Sequence, residues 1–419
     1  MRVLILSQYF DPEPVNKGLD FAKELVRQGH QVEVLTGFPN YPGGKVYPGY
    51  RIRFIQREVM EGIPVIRVPL FPSHDSGGFG RMCNYLSFAF SAGILGPWCV
   101  GSMDVIYAVH GNATIGFPAW LIGAMRRAPF VLDIQDLWPD SITASGMLPS
   151  VLVGLIPLVE AWCQLVYRGA ARIGVLSEGF KGILESRGVP DSKIRVIHNW
   201  CNEIQTRPGD LAPEEEALLS GRFNVVAAGN MGKMQGFDVV LDSAAKLQRT
   251  HPNIQFVLVG GGVDHPRLQQ RAKDLGLGNV LFLPRRPVEG IGALLHRAEA
   301  LLVHLKDDPL FRITIPSRIQ SYLAVGRPIL CGVRGNASDL VTEAGAGICF
   351  QPDDPGSLAE ALQELVCSSP EAQRKMGDRG REFYWSRLAV AVGTRAYVDL
   401  FSQCLPPVQT HGDPNANAF

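Results

Sequence analysis

Short apolar runs alternate with amphipathic stretches along nearly the whole chain. Val3–Leu6 reads as a buried strand. A helical pattern follows near Lys17–Gln28, with Leu19, Ala22, Leu25 and Val26 on one face and Gly29 as its stop. Val32–Leu35, Val105–Ala108, Phe130–Ile134, Ile173–Leu176 and Ile194–Ile197 continue the strand series. Such runs of Val, Ile and Leu predict parallel strands covered on both faces. The pattern breaks between Trp200 and Arg222, where Pro208, Gly209, Pro213 and a Glu214–Glu216 run read as a linker. It restarts with Asn224–Ala228, Gly236–Arg249, Gln255–Gly260, His265–Leu275, Val280–Leu283, Ala300–His304, Pro328–Cys331 and Gly347–Phe350.

Two such series predict an α/β protein of two doubly wound, Rossmann-like domains facing a cleft, at 1–203 and 222–386, with 204–221 between them. A chain of 419 residues suits two domains of roughly 200 residues each. A last helical pattern at 387–405 is placed to cross back to the first domain, and 406–419, with Pro, Asn and Gly, is expected to be disordered.

Composition narrows the class. Lys+Arg and Asp+Glu each total 40, and this balance argues against a dedicated nucleic-acid partner. The eight cysteines stand singly, with no C-x-x-C pair, and read as small core residues in a reducing, cytoplasmic compartment. Met1 leads straight into Arg-Val-Leu-Ile-Leu, too short for a signal-peptide core. The apolar stretch Tyr85–Gly101 is about 17 residues long and holds Gly93, Gly96 and Pro97. It falls short of the roughly 20 residues that span a bilayer. A buried helix and an interfacial helix resting on a membrane, over 79–101, both remain open readings.

In doubly wound sheets ligands sit beyond the carboxyl ends of strands, so the loops there hold the candidate chemistry. Gly229-Asn230-Met231-Gly232-Lys233-Met234-Gln235-Gly236 follows the first strand of the second series. Its glycines would let main chain approach a phosphate, and Lys233 would add a point charge; a tight turn with a solvated lysine is the plainer reading. Gly260-Gly261-Gly262 ends another strand, either for close packing or for a ligand. Arg285-Arg286-Pro287 follows a third. Pro316-Ser317-Arg318 opens a helix, where free N–H groups, the Ser317 hydroxyl and Arg318 would cradle an anion. In the first series, Phe130–Ile134 runs into Gln135-Asp136-Leu137-Trp138-Pro139-Asp140. Asp133 sits in apolar company, where an unpaired carboxylate is costly, while Asp136 is the first catalytic candidate, placed to orient or polarise a reacting group. His110, at the end of Val105–Ala108, is a second catalytic candidate or a structural residue. Asn40, Tyr41 and Tyr47 lie in an aromatic loop suited to a sugar, or to ordinary turn chemistry.

Taken together, Gly37-Phe38-Pro39-Asn40-Tyr41-Pro42, Tyr47-Pro48-Gly49-Tyr50-Arg51, Asp136-Leu137-Trp138-Pro139-Asp140-Ser141, Gly229 to Gly236, Pro316-Ser317-Arg318 and Tyr322 to Pro328 resemble family 4 of the retaining GT-B glycosyltransferases. The likeness is to the bacterial branch of the WbuB and WcaI type, which builds O-antigen, capsule and exopolysaccharide. It runs from Met1 to about Leu400.

The resemblance implies a UDP-sugar donor on the second domain, with Gly229, Asn230, Lys233 and Gln235 near the diphosphate. Arg286 would meet the base through its main chain, and Ser317 and Arg318 would donate to phosphate. It also implies retention, and a polyprenyl-diphosphate-linked acceptor on the first domain. Two positions depart from the family. Ile313 and Ser321 stand where an E-x7-E pair is frequent, so Ser321 would take the ribose in place of a carboxylate. The first loop, Glu13 to Gly18, keeps one glycine where relatives often have two. No D-x-D ends a strand, since Asp307-Asp308 is adjacent, and transfer without metal or other cofactor is expected. A catalytically silent relative acting as a nucleotide-binding scaffold is the competing reading. A UDP-sugar 2-epimerase would need more cleft acids and histidines, and a nicotinamide oxidoreductase the missing G-x-G-x-x-G.

Overall fold

The computed structural model describes residues 1–74, 78–141 and 154–406. The expected disordered tail therefore lies, from residue 407 on, outside the described residues. The first sheet contains β1 (Arg2–Leu6), β2 (Gln31–Gly37), β3 (Gln56–Met60), β4 (Ile63–Val68), β5 (Val105–His110), β6 (Phe130–Ile134), β7 (Arg172–Val175) and β8 (Ile194–Val196). Their order is β3-β4-β2-β1-β5-β6-β7-β8. Leu4, Ile5 and Leu6 of β1 are buried, and β1 pairs parallel with β2 on one side and β5 on the other. The chain winds outward in both directions from that β1–β5 seam, which makes it the switch point of this sheet.

One element was not anticipated from the apolar pattern. β3 and β4 form an antiparallel hairpin in which Met60 faces Ile63. The two residues between them, Glu61 (φ 47°) and Gly62 (φ 86°), both take positive φ, the two-residue turn whose twist suits a hairpin.

Helix α1 (Leu19–Arg27) begins at Gly18, where a side chain would collide with the Asp11 carboxylate. Asp11 instead accepts from Leu19 N at 2.7 Å and caps the helix from a distance. Helices α2 (Phe79–Cys99), α3 (Gly116–Arg126) and α4 (Ile156–Gly169) pack side by side. Glycines set their spacing: a Cβ on Gly93 would meet the Phe117 ring at 2.5 Å, on Gly96 the Ile122 side chain at 2.6 Å, and on Gly116 Val166 at 2.3 Å.

The second sheet contains β9 (Phe223–Asn230), β10 (Ile254–Gly261), β11 (Val280–Leu283), β12 (Ala300–His304), β13 (Ile329–Gly332) and β14 (Gly347–Cys349), in the order β11-β10-β9-β12-β13-β14. Its strands pair in parallel throughout, and the seam between β9 and β12 is its switch point. Helix α5 (Asp238–Leu247) covers one face, with Val240, Leu241 and Ala244 buried, and α6 (Ser317–Val325) the other, with Ile319, Tyr322 and Leu323 buried. Compactness divides the chain into Met1–Gly174 with Val189–Arg195 and Thr394–Phe419, and Val175–Gly188 with Val196–Gly393. Helix α7 (Val390–Ser402) contains that last boundary. The stretch 204–221 includes a helix, Pro213–Leu219, with Pro at its first turn.

Candidate functional site

In the first unit a pocket of about 190 Å³ opens at the carboxyl ends of β1 and β5, lined among others by Ser7, Gln8, Lys17, Asn112 and Gln135. Its floor is a chain of buried amides. Asn112 Nδ2 donates to Gln8 Oε1 at 2.8 Å, Gln8 Nε2 to Asn84 Oδ1 at 2.5 Å, and Asn84 Nδ2 to Asn40 Oδ1 at 3.1 Å. Asn84 comes from α2, so one network fixes a helix, a strand end and the aromatic loop.

Beside it, Asp133 has no exposed surface and is fully satisfied. It accepts from Lys17 Nζ at 3.0 Å on both oxygens, from the Tyr107 and Tyr397 hydroxyls at 2.6 Å each, and from Gln135 Nε2 at 2.6 Å. Lys17 Nζ also donates to Tyr397 at 2.8 Å, and burial pulls its pKa below the ordinary lysine value. The apolar setting of Asp133 announced the need for partners; nothing in the sequence pointed to Lys17.

Asp136 follows β6 and is exposed. Desolvation raises its carboxyl to about 6, yet its open surface lets it exchange protons with water. His110 is placed otherwise. Val109 and Gly111 line the pocket, while His110, between them, has no exposed surface and lies with its ring centroid 6.2 Å from that of Tyr167. Neither ring nitrogen has a partner among the described residues, and burial lowers its pKa to about 4. The pleat of β5 turns this side chain away from the pocket, which corrects its place as a catalytic candidate.

Of the expected acceptor residues, Asn40 is buried and committed. Its N–H donates to Glu13 Oε1 at 2.7 Å, and its side chain to Phe38 O at 3.0 Å. Tyr47 donates its hydroxyl to Tyr41 O at 2.6 Å, within the loop itself. Burial takes the Asn40 side chain away from any acceptor, which corrects its assignment, while half-buried Tyr47 supports the loop through this bond. Tyr41 differs: its ring lies 5.1 Å from that of Tyr9, a pocket-lining residue. The residue missed in sequence is Glu13, whose carboxylate gathers the N–H groups of Asn40 and Tyr41 at 2.7 Å and Phe10 at 3.0 Å.

In the second unit the β9–β12 seam brings Gly229, Asn230 and Arg318 together. Arg318 Nη2 donates to Asn230 O at 2.8 Å. A Cβ on Gly229 (φ 128°) would strike that guanidinium at 2.9 Å, so glycine is required on two counts. Asn230, Lys233 and Ser317 are exposed at this end of the sheet. Gln235 Oε1 accepts from Gly232 N at 2.8 Å and so shapes the loop. His304, at the end of β12, holds the same loop. Its Nδ1 lies 2.7 Å from Gln235 O, and Asp353 N donates to its Nε2 at 3.1 Å, a neutral tautomer that agrees with its lowered pKa under burial.

The Gly260–Gly262 run resolves as close packing: a Cβ on Gly260 would fall 2.0 Å from Gly229 O, and on Gly262 2.5 Å from Met231 O. Arg286 follows β11, two strands away from β9, and its guanidinium pairs with Glu215, which leaves its main chain to face the strand end. Ser321 lies one turn along α6 from Ser317, beside the Cys201 thiol, which burial pushes up to about 12. Asp307 is engaged by Arg312 at 2.9 Å and Arg334 at 3.0 Å.

The sequence matches known families over most of its length. The glycosyl transferase 4-like domain matches residues 19–200, and the glycosyl transferases group 1 domain residues 211–383. A colanic acid biosynthesis glycosyl transferase of Escherichia coli K12, WcaI, is 24% identical over 395 residues, covering 87% of this chain and 92% of WcaI. HepE of Anabaena, solved in complex with UDP, superposes with a TM-score of 0.70 at 16% identity, over 96% of this chain and 100% of HepE. HepE with UDP-glucose gives 0.67 at 16% identity, over 96% and 99%.

Proposed function

We propose, on the premise that this chain belongs to the GT-B glycosyltransferases, that it moves a glycosyl group from a UDP-sugar to a lipid-linked glycan during assembly of a cell-surface polysaccharide, on the cytoplasmic face of the membrane. The observation that carries the donor assignment is the Gly229–Asn230–Arg318 cradle at the switch point of the second sheet. A strand end opened by Gly229, a guanidinium locked beside it and the N-terminus of α6 together suit a diphosphate. The UDP and UDP-glucose seen in HepE support the nucleotide, and the role named for WcaI supports the class of product.

In this reading Lys233 and Arg318 offset the charge that builds on the departing diphosphate, with Ser317 and the helix N–H groups around them. Gln235 and Gly232 hold the loop, Arg286 offers its main chain to the base, and Ser321 meets the ribose. Asp136 polarises or orients the sugar or the acceptor hydroxyl, with Tyr41 on the acceptor side. The anomeric configuration is retained and no metal takes part. An N-acetylhexosamine or a 6-deoxy relative is the donor sugar favoured by the branch.

Calorimetric titration with UDP tests the donor site. Micromolar binding, unchanged by EDTA and lost in Lys233→Ala, is the expected result, after which UDP-sugars are screened for transfer. Absence of UDP binding by the folded protein overturns the assignment. Binding with no turnover of any donor favours the silent scaffold.

A further inference from the structure

Helix α2 is apolar on both sides. Its inner face, with Phe88, Ala92 and Gly96, is buried, yet Leu86, Phe90, Ile94 and Trp98 form an i, i+4 row facing solvent, with Trp98 80% and Ile94 59% exposed. The exposure continues across the helices packed beside it. Trp120 of α3 is 57% exposed, and Leu158 and Leu165 of α4 are 69% and 61% exposed. A layer of three helices with this much open apolar surface marks an interaction face.

The charges around it have one dominant sign. Arg57 Nη2 donates to Cys99 O at 2.6 Å, and Arg126 Nη2 to Val100 O at 2.6 Å and Gly101 O at 3.0 Å, so two guanidiniums clasp the end of α2 next to Trp98. Arg127 adjoins them, and Arg57, Arg126 and Arg127 are all exposed. Their hydrogen bonds go to main-chain oxygens, and none of the three forms an ion pair among the described residues. Glu33 stands at the same end, accepting from Gly101 N at 2.7 Å. Arg53, beside the 72% exposed Phe54, adds to the basic side in the segment before β3.

We propose that the α2–α3–α4 face docks on a bilayer surface containing anionic phospholipid, with Phe90, Ile94, Trp98 and Trp120 entering the headgroup boundary and Arg57, Arg126 and Arg127 pairing with lipid phosphates. No helix among the described residues is long and apolar enough to cross a membrane, so the layer lies on the surface and does not span. Exposed tryptophan beside arginine is the pairing that such an interface favours. Such a surface would hold the chain where a lipid-linked acceptor lies, and it follows from the exposed apolar rows and the arginines beside them.

Vesicle flotation of the full chain tests it, with phosphatidylcholine alone and with about a third phosphatidylglycerol. The protein should float with the anionic vesicles and show a blue-shifted tryptophan emission. Phe90→Ser/Ile94→Ser/Trp98→Ser should weaken binding at least about tenfold. Arg126→Glu/Arg127→Glu should weaken it about tenfold or more and flatten its salt dependence. UDP titration and circular dichroism, expected to be unchanged, show that each variant is folded and read the donor site separately. No flotation by a UDP-binding protein overturns the proposal, as does flotation indifferent to the triple variant. Self-association in solution that the triple variant abolishes overturns it too, because a second copy would then cover the face.

Discussion

Arg318 Nη2 lies 2.8 Å from the main-chain oxygen of Asn230, 88 residues away in sequence. The bond ties the first residue pair of α6 to the last residue of β9, so the guanidinium is in position before any anion arrives. Its desolvation lowers the arginine pKa without removing the charge, leaving a cation whose surroundings reward a phosphate. Arg318→Ala is expected to weaken UDP binding about ten- to hundredfold, the range for a charge-assisted hydrogen bond. Arg318→Lys should recover little of it, since an ammonium cannot reach both the carbonyl and the ligand. Calorimetry on the two variants decides this.

Among the described residues that donate to Asp133, Lys17 alone carries a formal positive charge. Lys17→Met leaves a fully buried carboxylate without its counter-ion and should cost about 3–5 kcal/mol in urea unfolding. The double variant Lys17→Met/Asp133→Leu should regain most of that loss. Equal loss in both would show that the pair itself, beyond charge balance, holds the strand end.

Asp136 carries a folded-state pKa near 6 against an ordinary 3.8. A raised carboxyl pKa favours the fold below about pH 4, and that contribution disappears as pH rises through 6. Asp136→Asn should therefore raise the Tm at pH 7.5 and leave it unchanged near pH 3.5. If the carboxylate is the working form, kcat/KM falls as pH drops below about 6. Asp136→Asn should abolish that limb and cost about 10²- to 10⁴-fold in rate. A pH–rate profile of the variant with the same limb assigns it to another group.

His110 has the opposite linkage. Its pKa falls from 6.5 to about 4 on folding, so the unfolded chain takes up a proton first as pH falls. The stability it supports is complete above pH 6.5 and is lost toward pH 4, about 3 kcal/mol in all. His110→Met, which also removes two unpartnered ring nitrogens, should flatten stability over that window and keep transferase activity. Loss of activity in a stable His110→Met protein would return this residue to the chemistry.

Much of the architecture was legible because buried parallel strands announce themselves. Phe130–Ile134 and Ala300–His304 match the structure residue for residue, and the restart at Asn224 lies one residue from the start of β9. The hairpin of β3 and β4 escaped because β3 alternates between half-buried and exposed positions and Pro64 interrupts β4; the Glu61-Gly62 turn was its available signal.

Reading the loops after strands placed the candidate residues at the carboxyl ends of both sheets, but did not tell what each side chain does there. Asn40 looked like a sugar ligand, yet Glu13 draws it into the interior through a contact 27 positions back in the chain. Periodicity along a strand does hint at His110, since Val109 and Gly111 occupy the opposite face. Apolar residues on the outer row of α2 were equally visible, and only burial separates its two faces.

A side chain at position 260 would strike the main-chain oxygen of Gly229, and one at position 229 would need a φ of 128° and would press on the Arg318 guanidinium, so each glycine is held in place by its own constraint. Mutational drift in this loop is thereby channelled. The floor under the proposed diphosphate stays a bare peptide surface in every viable descendant, and adaptation to a new donor must come from Asn230, Lys233 and the residues of α6. A library that randomises the whole loop would be spent mostly on misfolded chains. One that fixes the two glycines and varies only their neighbours would sample recognition.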